Sequence, residues 1–314
     1  MTRLVIDSHV HSLRFTPGLL KEGKEWSYST LQEKIYTTKP WDNSPNLLKD
    51  MESNRVDKVV LNSAFNMPNE MIRQQVQEHP DQFIGICWHP ETTRKTYAGE
   101  AKFSAEAAAE EIDNALQYPE FVGIGEMLLF PDPDVLLPAE ENFRKLLPIM
   151  EVAKKHKVPI LYHTGWMGYP ACRLRSDDPM WIDDLALLYP DVPIVIGHAG
   201  VQCGWYNTFP EIALMVAARH KNVYLETSQA TSEQIERAYL DPHIGPRKIL
   251  FGSDYGASIS YTRVGDKTFA TANVPPTYLP DHFAWNLRQI NKIEMPEDDR
   301  NLILGLNAKR LFKI

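Results

Sequence analysis

Eight short apolar runs, each followed by a stretch with helical periodicity, constrain this chain more than any other feature. The runs lie at Leu4–His11, Lys58–Asn62, Phe83–Trp88, Phe121–Glu126, Pro159–His163, Pro193–His198, Val223–Thr227 and Lys248–Asp254. Helical patterns fill 46–54, 69–78, 105–116, 140–156, 180–188, 211–219 and 232–240, and two more, at 281–292 and 296–311, close the chain. Thr231 stands where a helix cap is needed. Continuous apolar strands, each covered by a helix, form a parallel sheet buried on both faces. Eight such units in 314 residues predict a distorted TIM-type (β/α)8 barrel, an α/β fold, as one domain over 1–314. The rival is a doubly wound sheet. It would usually carry a glycine-rich turn after its first strand, where this chain has His9 and His11.

The polar residues at the strand ends come next. Side chains alternate faces along a strand, so His9 and His11 point the same way. Glu126 ends the fourth run, His163 the fifth, His198 the sixth and Asp254 the eighth. In a closed barrel these ends meet on one face, where sites of this fold are built. Imidazoles and carboxylates gathered there make a site for a divalent ion; Zn²⁺ is the first expectation, with Mn²⁺ and Fe²⁺ also suited. Packing gives a poor account of them, because a buried ionisable group costs several kcal/mol unless paired or metal-bound. Taken singly, each has a plainer reading. His163 would serve as a hydrogen-bonded core histidine, Asp254 as a helix cap, and Glu126 and His198 as structural or substrate-facing groups. His79, His156, His220, His243 and His282 fall at helix ends or in polar loops and are expected to face solvent. His89 reads as a loop-structuring residue, and the cysteines as structural.

Composition excludes several classes. A formal charge of −8 with no basic stripe disfavours nucleic acid and anionic membrane as partners. Three cysteines make no disulfide framework, and the run after Arg3 is too short, and broken by Asp7, for a signal peptide. A cytoplasmic protein acting on a small molecule is expected. Residues 12–44 form a long aperiodic segment, the kind that serves as a lid or binding loop. Aromatic residues in such loops would suit a homodimer.

Five motifs carry a resemblance: Ile6-Asp7-Ser8-His9-Val10-His11, Leu161-Tyr162-His163-Thr164-Gly165, Val195-Ile196-Gly197-His198-Ala199-Gly200, Phe251-Gly252-Ser253-Asp254-Tyr255 and Ile303–Phe312. Their order and spread resemble the amidohydrolase superfamily, within it the branch that includes aminocarboxymuconate-semialdehyde decarboxylase. The resemblance implies a metal at the C-terminal mouth of the barrel. It makes His9, His11, His163 and Asp254 ligands of one ion and gives His198 the task of orienting or deprotonating water. Gly123-Ile124-Gly125-Glu126 is similar instead to the fourth strand of two-metal members such as the TatD-type deoxyribonucleases. There Glu126 would bridge an ion on His9 and His11 to a second on His163 and His198. No lysine ends the fourth run, so a carbamylated-lysine bridge is not expected.

The expected activity is hydrolysis of an amide, ester or lactone by metal-activated water, with Asp254 and His198 catalytic. The alternative is non-oxidative decarboxylation of a small unsaturated or aromatic acid. Arg173 and Arg175 are candidate clamps for a substrate carboxylate, and Trp166 and Trp205 candidate walls for a planar substrate. A barrel that has lost catalysis would show gaps in the metal set, and every position is filled.

Overall fold

The computed structural model describes residues 3–14, 41–63, 67–134, 136–165, 174–201, 207–256, 261–264, 267–270 and 282–314. Eight parallel strands make the sheet: β1 (Ile6–Val10), β2 (Lys58–Asn62), β3 (Phe83–Cys87), β4 (Phe121–Met127), β5 (Ile160–Tyr162), β6 (Ile194–Ile196), β7 (Val223–Glu226) and β8 (Ile249–Leu250). Each pairs with the next in sequence, so the sheet has no switch point of the doubly wound kind. The segment after β8 closes the ring against β1. Ser8 N donates to Phe251 O at 2.9 Å, Asp254 N to His9 O at 2.9 Å and His11 N to Tyr255 O at 2.7 Å. The expected TIM-type barrel is therefore present. Two antiparallel ribbons accompany it, Leu13–Arg14 with Trp41–Asp42 and Tyr261–Val264 with Lys267–Ala270.

The core has two layers. Ile6, Val60, Ile86, Leu161, Val195 and Leu250, one from each of six strands, fill the barrel with Ala308, Leu311 and Phe312 of the terminal helix. Alternate strand residues, among them Val59, Leu61, Ile194 and Ile196, pack outward on the helices. Irregularities in the ladder decide what reaches the mouth. Between Asp7 and Val10 the first strand carries one residue more than its neighbour, which spans only Val59 to Leu61. Strict alternation would put Ile6 and His9 on opposite faces; the extra residue lets both face inward. β4 has a similar extra residue between Ile124 and Met127, both of which pack outward, opposite Ile160 and Tyr162.

The helical expectations hold at 69–78, 180–188 and 232–240, where Thr231 caps in a capping box with Gln234. They fail in three places. The 140–156 pattern is two helices, Ala139–Arg144 and Leu147–His156, because Pro148 starts a new first turn. The terminal helical segment is broken by a π-helical stretch at Leu302–Leu306. Pro90–Tyr97, where no helix is expected, is a helix, and Glu111 satisfies its first amides by accepting from Glu91 N and Thr92 N at 2.8 and 2.9 Å. His220, expected in solvent, is buried against Asp183, with Nε2 2.6 Å from the carboxylate. Among the described residues no helix is long and apolar enough to cross a membrane.

Candidate metal centre

The strand ends bring all six expected groups together. His9 and His11, Glu126, His163, His198 and Asp254 form three overlapping triads, each with donor atoms within 4.8 Å of one another. His9, His11, His163, His198 and Asp254 are all buried, and Glu126 nearly so. Glu126 sits between the histidines. Its Oε2 lies 3.4 Å from His9 Nε2 and 3.5 Å from His11 Nε2. Its Oε1 lies 2.8 Å from His163 Nδ1 and 3.2 Å from His198 Nε2. Asp254 Oδ1 approaches His9 Nε2 at 3.8 Å and His11 Nε2 at 3.5 Å.

Two of these side chains depend on unusual backbone. His198 (φ 59°) and Ala199 (φ 45°) are left-handed, and so is Asp254 (φ 56°). Val195 faces the barrel interior, so a continued strand would turn His198 outward onto the helices. The left-handed turn re-aims it at the mouth. Non-glycine residues in this region store about 1–3 kcal/mol each, which the surrounding packing must offset.

A carboxylate that the sequence reading passed over lies beneath the cluster. Glu226, at the end of β7, is fully buried. Its Oε2 accepts from His9 Nδ1 at 2.8 Å, His198 N at 3.0 Å and Ser228 Oγ at 2.8 Å. Its Oε1 accepts from Ser228 N. Ser228 Oγ in turn lies 2.7 Å from His198 Nδ1. The signal that singled out Glu126, an acidic residue closing an apolar run, applied equally to Glu226.

These contacts fix the imidazole tautomers. His9 Nδ1 donates to Glu226. His11 Nδ1 donates to the Asn62 carbonyl at 3.1 Å. The Ser228 hydroxyl donates to Glu226 and so accepts from His198 Nδ1. In the neutral rings all three Nε2 atoms then carry lone pairs. His9 Nε2 and His11 Nε2 face each other at 3.2 Å, with carboxylate oxygens around them. Lone pairs confronting one another need a cation between them. Bonds of about 2.0–2.1 Å to one ion put neighbouring ligands roughly 3.0–3.4 Å apart, close to these spacings. Among the described residues the buried Asp254 Oδ1 has no hydrogen-bond partner, as expected of a group reserved for another task. The donor set therefore fits a divalent metal.

Electrostatics gives the same account of the protein without an ion. Burial would lower the His9 pKa, yet Glu126 and Glu226 outweigh it and hold the ring well above its ordinary range. Burial opposes the charge of Glu126 too, but His9 and His163 keep its carboxyl well below the usual value. Asp254 is likewise lowered against burial, chiefly by the neighbouring His11 imidazole. Protons on histidines thus balance the clustered carboxylates, a balance that a dication would supply instead.

Of the other expected site residues only Arg175 is described. Its side chain is 64% exposed, paired with Glu140 at 3.1 Å and set over Trp181. A three-residue 3₁₀ turn, Leu174–Ser176, carries it to the surface. Trp166, Arg173 and Trp205 lie outside the described residues, as do Cys172 and Cys203. His89 is buried, with Nδ1 2.9 Å from Thr93 Oγ1, at the start of the Pro90–Tyr97 helix.

None of the curated proteins matches the chain. Solved structures similar to it include 4-oxalomesaconate hydratase from Rhodopseudomonas palustris, with 19% identity, TM-score 0.63, 99% of this chain and 96% of that one covered. A 5-carboxyvanillate decarboxylase from Novosphingobium aromaticivorans complexed with manganese has 15% identity, TM-score 0.58, and 100% and 97% coverage. A 2,6-dihydroxybenzoate decarboxylase complexed with 2,6-dihydroxybenzoate has 16% identity, TM-score 0.60 and full coverage of both chains. At these identities the likeness is one of fold. The family model described as amidohydrolase (Amidohydro_2) matches residues 6–314, nearly the entire chain, and the protein belongs to that family.

Proposed function

We propose that the protein is a metal-dependent hydrolase that cleaves an amide, ester or lactone bond of a small molecule. The observation that carries this reading is the position of Glu126, with one oxygen toward His9 and His11 and the other toward His163 and His198. On this reading His9 and His11 would hold one ion and His163 and His198 a second, with the Glu126 carboxylate available to both. Zn²⁺, Mn²⁺ and Fe²⁺ all suit such a donor set. When bound, the ions would bring the pKa of a water to about 7 and polarise the substrate carbonyl.

The remaining work falls to the side chains. Gln229 Nε2 donates to Asp254 Oδ2 at 2.6 Å and fixes the carboxylate, leaving the buried Oδ1 turned toward His9 and His11. Oδ1 is the acceptor for the proton of the attacking water and afterwards delivers it to the leaving group. Ser228 holds His198 through Nδ1, so its Nε2 stays aimed at the same space.

Decarboxylation of a small unsaturated or aromatic acid is the second reading. The relatives favour it more than they favour hydrolysis, since two of the three named above are decarboxylases. One ion would suffice for it, with His9, His11, His163 and Asp254 as the residues that would hold it, and His198 would be left to move a proton to carbon. A cation for the substrate carboxylate would support it further; of the two candidates Arg175 is paired with Glu140 at the surface, and Arg173 lies outside the described residues.

Elemental analysis of purified protein supplied with Zn²⁺ or Mn²⁺ separates the two. Two ions per chain, falling to one or none in Glu126→Gln, is the expected result. One ion, untouched by that substitution, would sink the bridge and transfer the assignment to decarboxylation, read directly as CO₂ release from a panel of aromatic and unsaturated acids. No ion at all would overturn both readings.

A further inference from the structure

We infer that Glu226 is the positioning residue that presets both halves of the metal centre, directing His9 itself and His198 through Ser228. The inference rests on the metal-centre reading, but its own evidence is the hydrogen-bond geometry. Four groups converge on this one carboxylate: His9 Nδ1, His198 N, Ser228 Oγ and Ser228 N. Every one is a donor, so only a group with four acceptor positions satisfies them all. Through the first, Glu226 holds a proton on His9 Nδ1 and a lone pair on Nε2. Through the third, it orients the Ser228 hydroxyl, whose oxygen then accepts from His198 Nδ1 at 2.7 Å. His9 belongs to one histidine pair and His198 to the other, and their ring centroids are 4.9 Å apart. A single buried carboxylate thus sets one nitrogen in each pair.

The chain makes room for this arrangement. A Cβ on Gly252 would lie 1.9 Å from Glu226 Oε1 and 2.5 Å from its Cδ. Glu226 therefore occupies the side-chain space of Gly252, in the segment that follows β8. Glutamine, its neutral isostere, cannot substitute. Turned one way, its NH₂ meets the Ser228 amide; turned the other, it meets the His198 amide and His9 Nδ1. Both backbone amides are obligate donors.

The test reads imidazole tautomers by ¹⁵N NMR of the metal-free, histidine-labelled protein at a pH where the rings are neutral. Metal uptake of the same variants is measured in parallel. In the unsubstituted protein His9 and His198 are expected as Nδ1–H tautomers. In Glu226→Gln both should lose that preference, and metal affinity should fall about 10- to 100-fold, the usual effect of removing a partner behind a ligand. In Ser228→Ala only His198 should change while His9 keeps its tautomer, an asymmetry that general loss of packing would not produce. A folded Glu226→Gln with both tautomers unchanged would overturn the inference. Should that variant not fold, Ser228→Ala decides, and an unchanged His198 there would overturn it equally. Failure of the functional reading would look different: the unsubstituted protein would take up no metal while its tautomers stood as described.

Discussion

At the scale of single residues, chemistry was legible where it followed a strand end and hidden where it depended on a partner. His9, His11, Glu126, His163, His198 and Asp254 announce themselves as ionisable groups closing apolar runs, and the barrel gathers them all. Glu226 follows the same rule, but its importance lies in what it touches, and no spacing in the sequence relates residue 226 to 9, 198 and 228. Arg175 stands apart from the cluster. Its place in a mouth loop suggested substrate, and a short turn delivers it to a surface ion pair. His89 supports a prediction of its own. Burial lowers its pKa to about 4, below the ordinary value of about 6.5. Stability from the neutral ring is thus fully present above pH 6.5 and is lost as pH falls through 4. The lowering corresponds to about 3 kcal/mol. Urea unfolding between pH 7 and 4 should show His89→Gln losing less stability on acidification than the unsubstituted protein by about that amount. Equal losses would mean the ring is not held neutral.

At the scale of elements, strands were read better than their irregularities. The eight apolar runs gave all eight strands because burial on both faces leaves no polar periodicity to confuse them. The extra residues in β1 and β4 left no mark in the sequence, since a bulge answers to the register of the neighbouring strand. The helix at Pro90–Tyr97 escaped for a related reason: the carboxylate satisfying its first amides comes from Glu111, on another helix. Gly252 puts the dependence of one strand on the next to the test. Gly252→Ala should drive the new methyl into Glu226, lowering stability by about 1–3 kcal/mol and impairing metal uptake. Gly99→Ala is the comparison. It has a positive φ but nothing among the described residues within 4 Å of the added Cβ, so it should cost about 1 kcal/mol and leave metal uptake intact. Equal metal uptake in both variants would count against the contact.

At the scale of the whole molecule, the metal centre joins strands far apart in sequence. Its donors come from β1 and the residue after it, from β4, and from the segments following β5, β6 and β8, so an ion there would cross-link most of the barrel's upper ring. Chelation should lower the melting temperature. An ion present at 100 times its dissociation constant adds about 2.7 kcal/mol, or roughly 5 °C for a chain of this size. Calorimetry of stripped and reloaded protein checks this, and an unchanged melting temperature would argue against an ion in these positions. The sequence by itself determined the alternation of strands and helices, and with it the convergence of strand ends on one face, because both follow from local periodicity and from how parallel strands close. The inward turn of His198, the bulge that seats His9 inside and the carboxylate of Glu226 beneath both were decided only by tertiary structure. Each depends on hydrogen bonds between residues brought together by closing the barrel, and no local pattern records those.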